Sequence, residues 1–131
     1  MAGRSLNTME ELERFLKQYE EVTNSHDFNA VQPLLAVDAM YWFSDGSFEG
    51  HDAIRSAFEK TWATVKHETY KIVDVRWLAV SLTTAACVYE FQWEGEIGGV
   101  RKTGTGRGTN VLVKSGNNWQ MVHEHLSNYL S

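Results

Sequence analysis

The clearest strand in the sequence lies at residues 87–94, which read CVYEFQWE. Apolar side chains occupy every second position from Cys87 to Trp93, and a period of two is typical of a strand with one buried face. We therefore expect Tyr89, Phe91 and Trp93 to point into the protein. Cys87 shares that face, and nothing near it in the sequence marks it as a nucleophile, so we interpret it as a small buried hydrophobe.

Strand patterns flank this segment on both sides. Residues 68–80 (ETYKIVDVRWLAV) are rich in β-branched and aromatic residues, residues 100–114 carry glycine at 104, 106 and 108, and residues 119–127 form the last predicted strand. Turn residues at 95–99 and 116–118 separate these strands. The pattern predicts a four-stranded antiparallel meander. Glycines at alternate positions indicate strong curvature or a close approach of other atoms to one face.

The N-terminal half is predicted to be mostly helical. Residues 8–11 (TMEE) fit a capping box that begins at Thr8, and apolar residues at helical spacing extend this helix to about Ser25. Asp27 is predicted to cap a second, short helix through Leu35, which Pro33 weakens.

A third helix is predicted after Gly50, because apolar residues from Ile54 to Val65 trace one helical face. Residues 39–44 (AMYWFS) are predicted to be extended, with a turn at residues 45–46. Three helices before residue 67, followed by the meander, predict an α+β fold with three N-terminal helices packed on a strongly curved antiparallel sheet. Such a sheet closed by helices forms a cone with a cavity, a frequent setting for small-molecule sites.

The composition fits a single domain over residues 1–131. Hydrophobic residues make up 43% of the chain, charged residues 22%, and there is one proline. A net charge of -5 without a basic run predicts no nucleic-acid partner. The single cysteine excludes an internal disulfide. No apolar stretch approaches the roughly 18 residues of a membrane span, and residues 1–8 lack a signal-peptide core, so we predict no membrane association and a cytoplasmic location.

Five segments carry a family resemblance: SDGSFEGHDAIRSAF (44–58), DVRWLAVS (74–81), AACVYEFQWEG (85–95), GRGTNVLVKSGNNW (106–119) and VHEHLS (122–127). Together they resemble the SnoaL-like branch of the nuclear-transport-factor-2-like (NTF2-like, cystatin-like α+β barrel) superfamily, over roughly residues 9–127. The resemblance implies an NTF2-like cone. It does not imply one activity, because the superfamily contains isomerases, polyketide cyclases, dehydratases and association domains.

The ketosteroid isomerase type supplies the most concrete chemistry within that superfamily. It uses a carboxylate base, with a tyrosine and a protonated aspartate around the developing oxyanion. The resemblance places Tyr19 at the oxyanion tyrosine and Asn110 near the acidic donor. Phe43 occupies the approximate position of the base, and Asp45 lies at the turn two residues later. Steroid isomerisation by that arrangement is therefore not expected.

Glu124 is the carboxylate that we predict to face the cavity. In a regular strand it shares a face with Val122 and Leu126, and the superfamily pattern implies that this face lines the cavity. Desolvation among aromatic side chains would raise the pKa of Glu124 and suit it to proton transfer.

Two roles for Glu124 stay open. As a catalytic residue it would transfer a proton, with Tyr19 and Asn110 as hydrogen-bond donors to a developing oxyanion. Alternatively, Glu124 pairs with Arg107 or Arg76, or lies in water at the rim, and the cavity only binds.

His123 and His125 form an H-x-H pair that regular alternation places on the opposite face, together with Met121 and Ser127. Such a pair binds a metal only when further ligands converge, and no spacing ties other histidines or acidic residues to it. We predict a structural or interface role for the pair, with no metal site and no cofactor.

Aromatic residues on the predicted helix and strand faces are expected to converge on the cavity. This wall would admit a small apolar molecule as the ligand. The predicted pocket residues are Phe15, Tyr41, Phe43, Phe58, Trp62, Tyr89, Phe91 and Trp93.

Apolar residues also lie on both faces of the last two predicted strands; Val111 and Val113, for example, oppose Leu112. Helices cover only one face, so a second copy of the chain is predicted to cover the outer sheet face as a homodimer. Two function classes follow. The preferred class is a small-molecule pocket protein, either a binder or an isomerase, cyclase or dehydratase acting by acid–base chemistry without a cofactor. The other is a non-catalytic homodimeric association module.

Overall fold

Helix α1 spans Thr8–Asn24 in the computed structural model, which describes residues 7–129. The predicted helix is confirmed, but its N-cap is Asn7 and not Thr8. The Asn7 side chain accepts a hydrogen bond from the Glu10 amide and donates one to the Glu10 carboxylate. An asparagine side chain both accepts and donates, so it forms this reciprocal cap one residue earlier than the predicted box.

Helix α2 is shorter than predicted. It spans Phe28–Val31, with Asp27 as its N-cap as predicted, and continues only as a 3-10 turn at Gln32–Leu34. Pro33 lacks the amide proton that another helical turn would use. Strand β1, Leu35–Phe43, therefore begins four residues before the predicted extended segment.

The remaining elements follow the predicted order, with one addition. A four-residue strand, β2, precedes the third helix and is too short to leave a pattern in the sequence. The bounds are β2 Gly46–Glu49, α3 Gly50–Thr64, β3 Lys66–Val80, β4 Thr84–Ile97, β5 Val100–Ser115 and β6 Asn118–Asn128.

Within residues 7–129 the strands form a six-stranded sheet in the order β2-β1-β6-β5-β4-β3. The antiparallel meander of β3 to β6 is confirmed. The prediction of a purely antiparallel sheet is wrong, because β1 pairs parallel with β6, although it pairs antiparallel with β2. Helix α3 also follows two of the strands in the chain, so the helices do not all precede the sheet. The α+β class is as predicted, and the sheet is curved.

A bulge in β6 determines which side chains point inward near its centre. Leu112 pairs with Met121 and Val111 with His123, so Val122 is an extra residue without its own partner. Met121 is therefore fully buried on the inner side with Glu124. The prediction that Met121 lies with the histidines and Val122 with Glu124 is wrong, because regular alternation fails at this bulge.

Side chains of α1 seal the edge strand β3. Asn24 donates to the Tyr70 carbonyl at 2.9 Å and accepts from the Tyr70 amide at 2.7 Å, and Glu20 accepts from the Ile72 amide at 2.8 Å. These bonds satisfy backbone groups that an edge strand would otherwise expose. They fix the strand that carries Tyr70 against the helix that carries Tyr19.

Candidate functional site

Glu124 lies on the inner side of β6 and is 2% exposed. Its Oε1 atom accepts hydrogen bonds from the Tyr19 hydroxyl at 3.1 Å, the Asn110 amide at 3.2 Å and the Tyr89 hydroxyl at 3.3 Å. None of residues 7–129 donates a hydrogen bond to its other oxygen, Oε2. One side of the carboxyl group is thus held by three neutral donors.

A second hydroxyl extends this network. The Tyr41 oxygen lies 2.7 Å from the Tyr19 oxygen. Tyr19 has one hydroxyl proton and donates it to Glu124, so Tyr41 is the donor to Tyr19. Burial raises the pKa of both tyrosines well above the usual range, and the nearby Glu124 charge adds to this effect. Both hydroxyls therefore remain neutral near physiological pH.

Tyr89 reaches Glu124 by passing over a glycine of the intervening strand. Tyr89 on β4 pairs with Gly108 on β5, and a Cβ atom at Gly108 would overlap the Tyr89 ring. The other two overlaps of this kind pair Phe91 with Gly106 and Trp93 with Gly104. The alternate glycines are thus explained by close approach, because the aromatic rings of β4 lie over β5.

Burial raises the pKa of Glu124 from its ordinary value of 4.5 to about 7. Loss of water around the carboxylate is the largest cause, and the hydrogen bonds from Asn110, Tyr19 and Tyr89 act in the opposite direction. A carboxyl group with a pKa near 7 exists in both protonation states at neutral pH, so it can both accept and release a proton.

Glu124 forms part of the wall of a cavity of about 380 Å³. That volume lies within the range of roughly 300–1,000 Å³ typical of small-molecule sites. The lining residues are Tyr19, Thr23, Phe43, Ser44, Asp45, Phe58, Thr61, Trp62, Val65, Glu68, Tyr70, Phe91, Trp93, Glu124, Leu126 and Asn128.

Glu68 is a second carboxyl group in this wall. Burial raises its pKa from 4.5 to about 7. Asp45, which is exposed, is the third acidic side chain of the lining. The lining contains no lysine, arginine or histidine among the residues that the structure describes.

Three buried polar atoms lack a hydrogen-bond partner within residues 7–129: Thr23 Oγ1, Tyr70 Oη and Asn110 Oδ1. Thr23 and Tyr70 line the cavity, and each is 9% exposed. The Tyr70 hydroxyl interacts with that of Tyr89, but not with the geometry of a satisfied hydrogen bond. Buried polar groups are nearly always paired, so these hydroxyls are candidates to bind a ligand or water.

The predicted site residues fall into two groups. Glu124 and Tyr19 line the cavity, whereas Asn110 is fully buried behind Glu124. Tyr19 and Asn110 direct their hydrogen bonds to Glu124 and not to an open position in the cavity. Of the predicted pocket residues, the lining includes Phe43, Phe58, Trp62, Phe91 and Trp93, and the core behind it includes Phe15, Tyr41 and Tyr89.

The alternative pairing of Glu124 with an arginine is not found. Glu124 forms no ion pair among residues 7–129, and Arg76 and Arg107 are both exposed. Arg107 lies over the Tyr129 ring, 5.1 Å from its centre, because it projects from the outer side of β5.

Glu68 and Tyr70 were not among the predicted site residues. The sequence carried a signal for them, because Glu68, Tyr70 and Ile72 alternate with polar residues much as residues 87–93 do. Tyr70 pairs with Trp93 and stacks on Phe91 at 5.9 Å. Thr23 and Thr61 gave no such signal, since a threonine on a helix face does not reveal what it contacts.

Cys87 is fully buried beside Asn110 on the neighbouring strand. Burial raises the pKa of its thiol to about 12. The reactive thiolate is therefore scarce near neutral pH, in keeping with its interpretation as a buried hydrophobe.

His123 and His125 lie on the outer side of β6, against Trp42 of β1. The ring centres are 5.1 and 5.8 Å from that of Trp42, and His123 Nδ1 lies 2.7 Å from the Met40 carbonyl oxygen. Within residues 7–129 no three histidine, cysteine or acidic side chains are grouped as a metal site would require.

A curved sheet covered by helices, with a side-chain-lined cavity between them, is the α+β architecture of the cystatin-like and NTF2-like proteins. The chain belongs to the SnoaL-like domain family, whose match covers residues 12–131. The resemblance seen in the sequence is thereby confirmed. No curated protein matches the sequence.

Solved structures with this fold are similar at low sequence identity. A nuclear transport factor 2 (NTF2-like) superfamily protein from Salmonella enterica has a TM-score of 0.84 at 19% identity, over 93% of this chain and 91% of that one. A candidate scytalone dehydratase from Novosphingobium aromaticivorans has a TM-score of 0.81 at 17% identity, over 93% of this chain and 84% of that one. A candidate calcium/calmodulin dependent protein kinase II association domain from Xanthomonas campestris has a TM-score of 0.83 at 15% identity, over 98% of this chain and 93% of that one. These likenesses concern the fold.

None of the helices between residues 7 and 129 is long and apolar enough to cross a membrane. The cytoplasmic location stays a prediction.

Proposed function

We propose that the cavity binds a small, largely apolar molecule and that Glu124 transfers a proton to or from it. The observation that carries this proposal is a carboxyl group, 2% exposed, in the wall of a cavity of about 380 Å³ with three neutral donors on one oxygen. A pKa of about 7 supports the role, since a general base works best when its pKa lies near the operating pH.

In this proposal Oε2 of Glu124 accepts the proton. Oε1 is occupied by Tyr19, Asn110 and Tyr89, which fix the orientation of the carboxyl group. These three are therefore positioning residues, a role that replaces the predicted donation from Tyr19 and Asn110 to an oxyanion. When Glu124 becomes charged, the same hydrogen bonds strengthen and stabilise the carboxylate in a site with little water.

The reaction class consistent with this machinery is an acid–base isomerisation, cyclisation or elimination. Such reactions move protons without a net change in oxidation state, and one carboxyl group that alternates between two protonation states can serve both proton steps. The similarity in fold to the candidate scytalone dehydratase agrees with an elimination but does not assign one to this chain.

The proposal can be tested with 5-nitrobenzisoxazole, a small aromatic probe of carboxylate bases. The base removes the carbon-bound proton, the nitrogen–oxygen bond breaks, and the coloured 2-cyano-4-nitrophenolate is released. We expect the rate to rise with pH through about 7, as the Glu124 carboxylate forms. Glu124→Gln should reduce kcat/KM by about 100-fold or more, the usual contribution of a general base.

Glu94→Gln is the matched control for this experiment. Glu94 is exposed on the outer side of β4, where it pairs with Arg101 at 2.8 Å, so the variant removes the same charge far from the cavity. It should retain the parent rate. A Glu124→Gln variant that is folded and still retains the parent rate would exclude Glu124 as the base.

We also propose that the outer sheet face pairs two copies of the chain. Trp42 is 43% exposed and Met40 36%, beside His123 and His125 on the neighbouring strand. Exposed aromatic and methionine side chains are enriched where protein surfaces associate. Sedimentation at micromolar concentration should give about twice 14.9 kDa, and Trp42→Glu should give the monomer. A monomeric parent chain would rule out this dimer.

A further inference from the structure

The charged side chains in the cavity wall are all acidic. Asp45, Glu68 and Glu124 line the cavity, and the lining contains no basic side chain within residues 7–129. Tyr70 lies close enough to both Glu68, which is half-buried, and Glu124, which is buried, for the charge of each to act on it, so the two carboxyl groups act on one region of the cavity. When ionised, they create a negative potential that no neighbouring cation in the wall neutralises.

The rest of the wall is mostly aromatic. Phe58 packs edge-on against Trp62 with ring centres 5.6 Å apart, and Phe43 lies 6.4 Å from Phe58. On the other side, Tyr70 and Phe91 are stacked at 5.9 Å. Aromatic faces carry negative electrostatic potential and attract cations, including ammonium groups.

Two hydroxyl groups in the same wall have no satisfied hydrogen bond within residues 7–129. Thr23 and Tyr70 are each about nine-tenths buried, and their oxygens accept no hydrogen bond within residues 7–129. A hydroxyl oxygen can accept a bond from an N–H group. This observation is independent of the acidic side chains and indicates a ligand with hydrogen-bond donors.

From these three features we infer that the cavity selects a ligand with a positively charged nitrogen that carries N–H groups, a protonated amine on an apolar or aromatic body. The inference rests on the proposed small-molecule function and specifies its ligand class. Glu68 and Glu124 would face the positive charge, and the aromatic side chains would surround the apolar body. An anionic ligand is disfavoured by the same wall.

The charged ligand should bind more tightly as pH rises. Burial raises the pKa of both Glu68 and Glu124 to about 7, so each gains its negative charge across the neutral range. Burial also keeps Tyr19, Tyr70 and Tyr89 neutral there, because their pKa values are well above 10. Asp45 also lines the cavity, and Tyr41, Glu20 and His26 are further titratable groups within residues 7–129 that contact elements of this wall.

The test uses two probes of the same shape, one cationic and one neutral. 2-Phenylethylammonium is positively charged at both pH values used and has N–H donors, and propylbenzene places carbon where the first has nitrogen. Binding of each to the full chain is measured by NMR titration at pH 5.5 and 8.5. We expect the cation to bind at least about tenfold more tightly at pH 8.5, and the neutral probe to bind no more tightly there.

Variants assign the pH dependence to its source. Glu68→Gln should weaken binding of the cation at pH 8.5 by about tenfold, whereas Glu94→Gln, with the same change of charge, should leave it unchanged. We assign the pH dependence to the two carboxyl groups and not to His26, which stacks on Trp62 at 5.3 Å and bonds to the Glu68 carbonyl. The pH dependence should therefore persist in His26→Asn.

The outcomes separate this inference from the proposed function. If propylbenzene binds as tightly as the cation at both pH values, the cavity is an apolar pocket and the inference is wrong, while the proposed function stands. If benzylsulfonate binds best, the inference is also wrong. If none of the probes binds, and the 5-nitrobenzisoxazole reaction is also absent, the proposed function fails together with it.

Discussion

Glu124 and His125 are neighbours in one strand, yet they lie in opposite environments. Glu124 is 2% exposed and accepts three hydrogen bonds in a cavity wall, whereas His125 is exposed and contacts the ring of Trp42. Burial on the inner side raises the pKa of the carboxyl group to about 7. A single step along a strand therefore decides whether a side chain faces the cavity or the outer surface.

The largest expected difference between the two sides is in the pH dependence of stability. The pKa of Glu124 is about 7 in the folded protein and near 4.5 when unfolded, so the unfolded state loses its proton first as pH rises. The free energy of unfolding should fall between about pH 4.5 and 7. Glu124 should account for about 3 kcal/mol of this fall in the free energy of unfolding. Because Glu124→Gln lacks that part of the fall, the variant should be more stable than the parent at pH 8.5.

Chemical denaturation at pH 4.5 and 8.5 measures this difference. Glu68 contributes with the same sign and remains in Glu124→Gln, so the variant should keep part of the decline. Glu94→Gln on the outer side should follow the parent curve. A decline that is equally steep in parent and Glu124→Gln would mean that the folded protein does not perturb this carboxyl group.

The second expected effect concerns the glycine under Tyr89. Gly108→Ala should cost about 2 kcal/mol of stability, because the new methyl group overlaps the Tyr89 ring and the ring must move. The displaced hydroxyl would no longer reach Glu124. The cost should largely disappear in a Tyr89→Ala background, and a double-mutant cycle measures that coupling. If the costs of the two substitutions simply add, the position of the Tyr89 ring does not depend on the missing side chain at Gly108.

The arrangement of elements could be predicted from the sequence, because it rests on local patterns. The alternation at residues 87–94 and the helical spacing after Thr8 and Gly50 gave the helices and the meander. Glu124 could be assigned to the cavity through the family pattern. The parallel pairing of β1 with β6 could not be predicted, because it joins segments about 80 residues apart and no local pattern encodes it.

The details of the site depend on irregular features that the regular alternation of side chains along a strand does not reveal. The bulge at Val122 changed the face assigned to Met121 and Val122, although Glu124 stayed inward. The use of Asn110 and Tyr19 to hold Glu124 depends on distances across three elements of structure. A sequence indicates which side chains can donate a hydrogen bond, but not which acceptor lies within reach.

A smaller effect should follow from loss of one donor on the inner side. Tyr19→Phe keeps the ring but removes the hydrogen bond to Glu124. In the parent protein that hydrogen bond lowers the pKa of the Glu124 carboxyl group. The pKa of Glu124 should therefore rise further above 7, by about one unit, the equivalent of one hydrogen bond of 1.4 kcal/mol. Carboxyl-carbon NMR measures the shift. Tyr41→Phe removes no hydrogen bond to Glu124 itself, because the Tyr41 hydroxyl bonds to Tyr19, so it should shift this pKa less. An equal shift in both variants would contradict a direct role for the Tyr19 hydrogen bond.

The smallest effect is expected on the outer side. His125→Ala removes an exposed ring that packs edge-on against Trp42, so stability should change by no more than about 0.5 kcal/mol and the pKa of Glu124 should not move. If two copies of the chain pair through this face, a larger loss should appear only where the dimer is populated, because association adds stability that depends on concentration. Thermal unfolding at two protein concentrations separates these contributions, with Gln92→Ala, elsewhere on the outer side, as the control. A shift in the pKa of Glu124 in His125→Ala would contradict the separation of the two sides, because it would show that the strand transmits the change from one to the other.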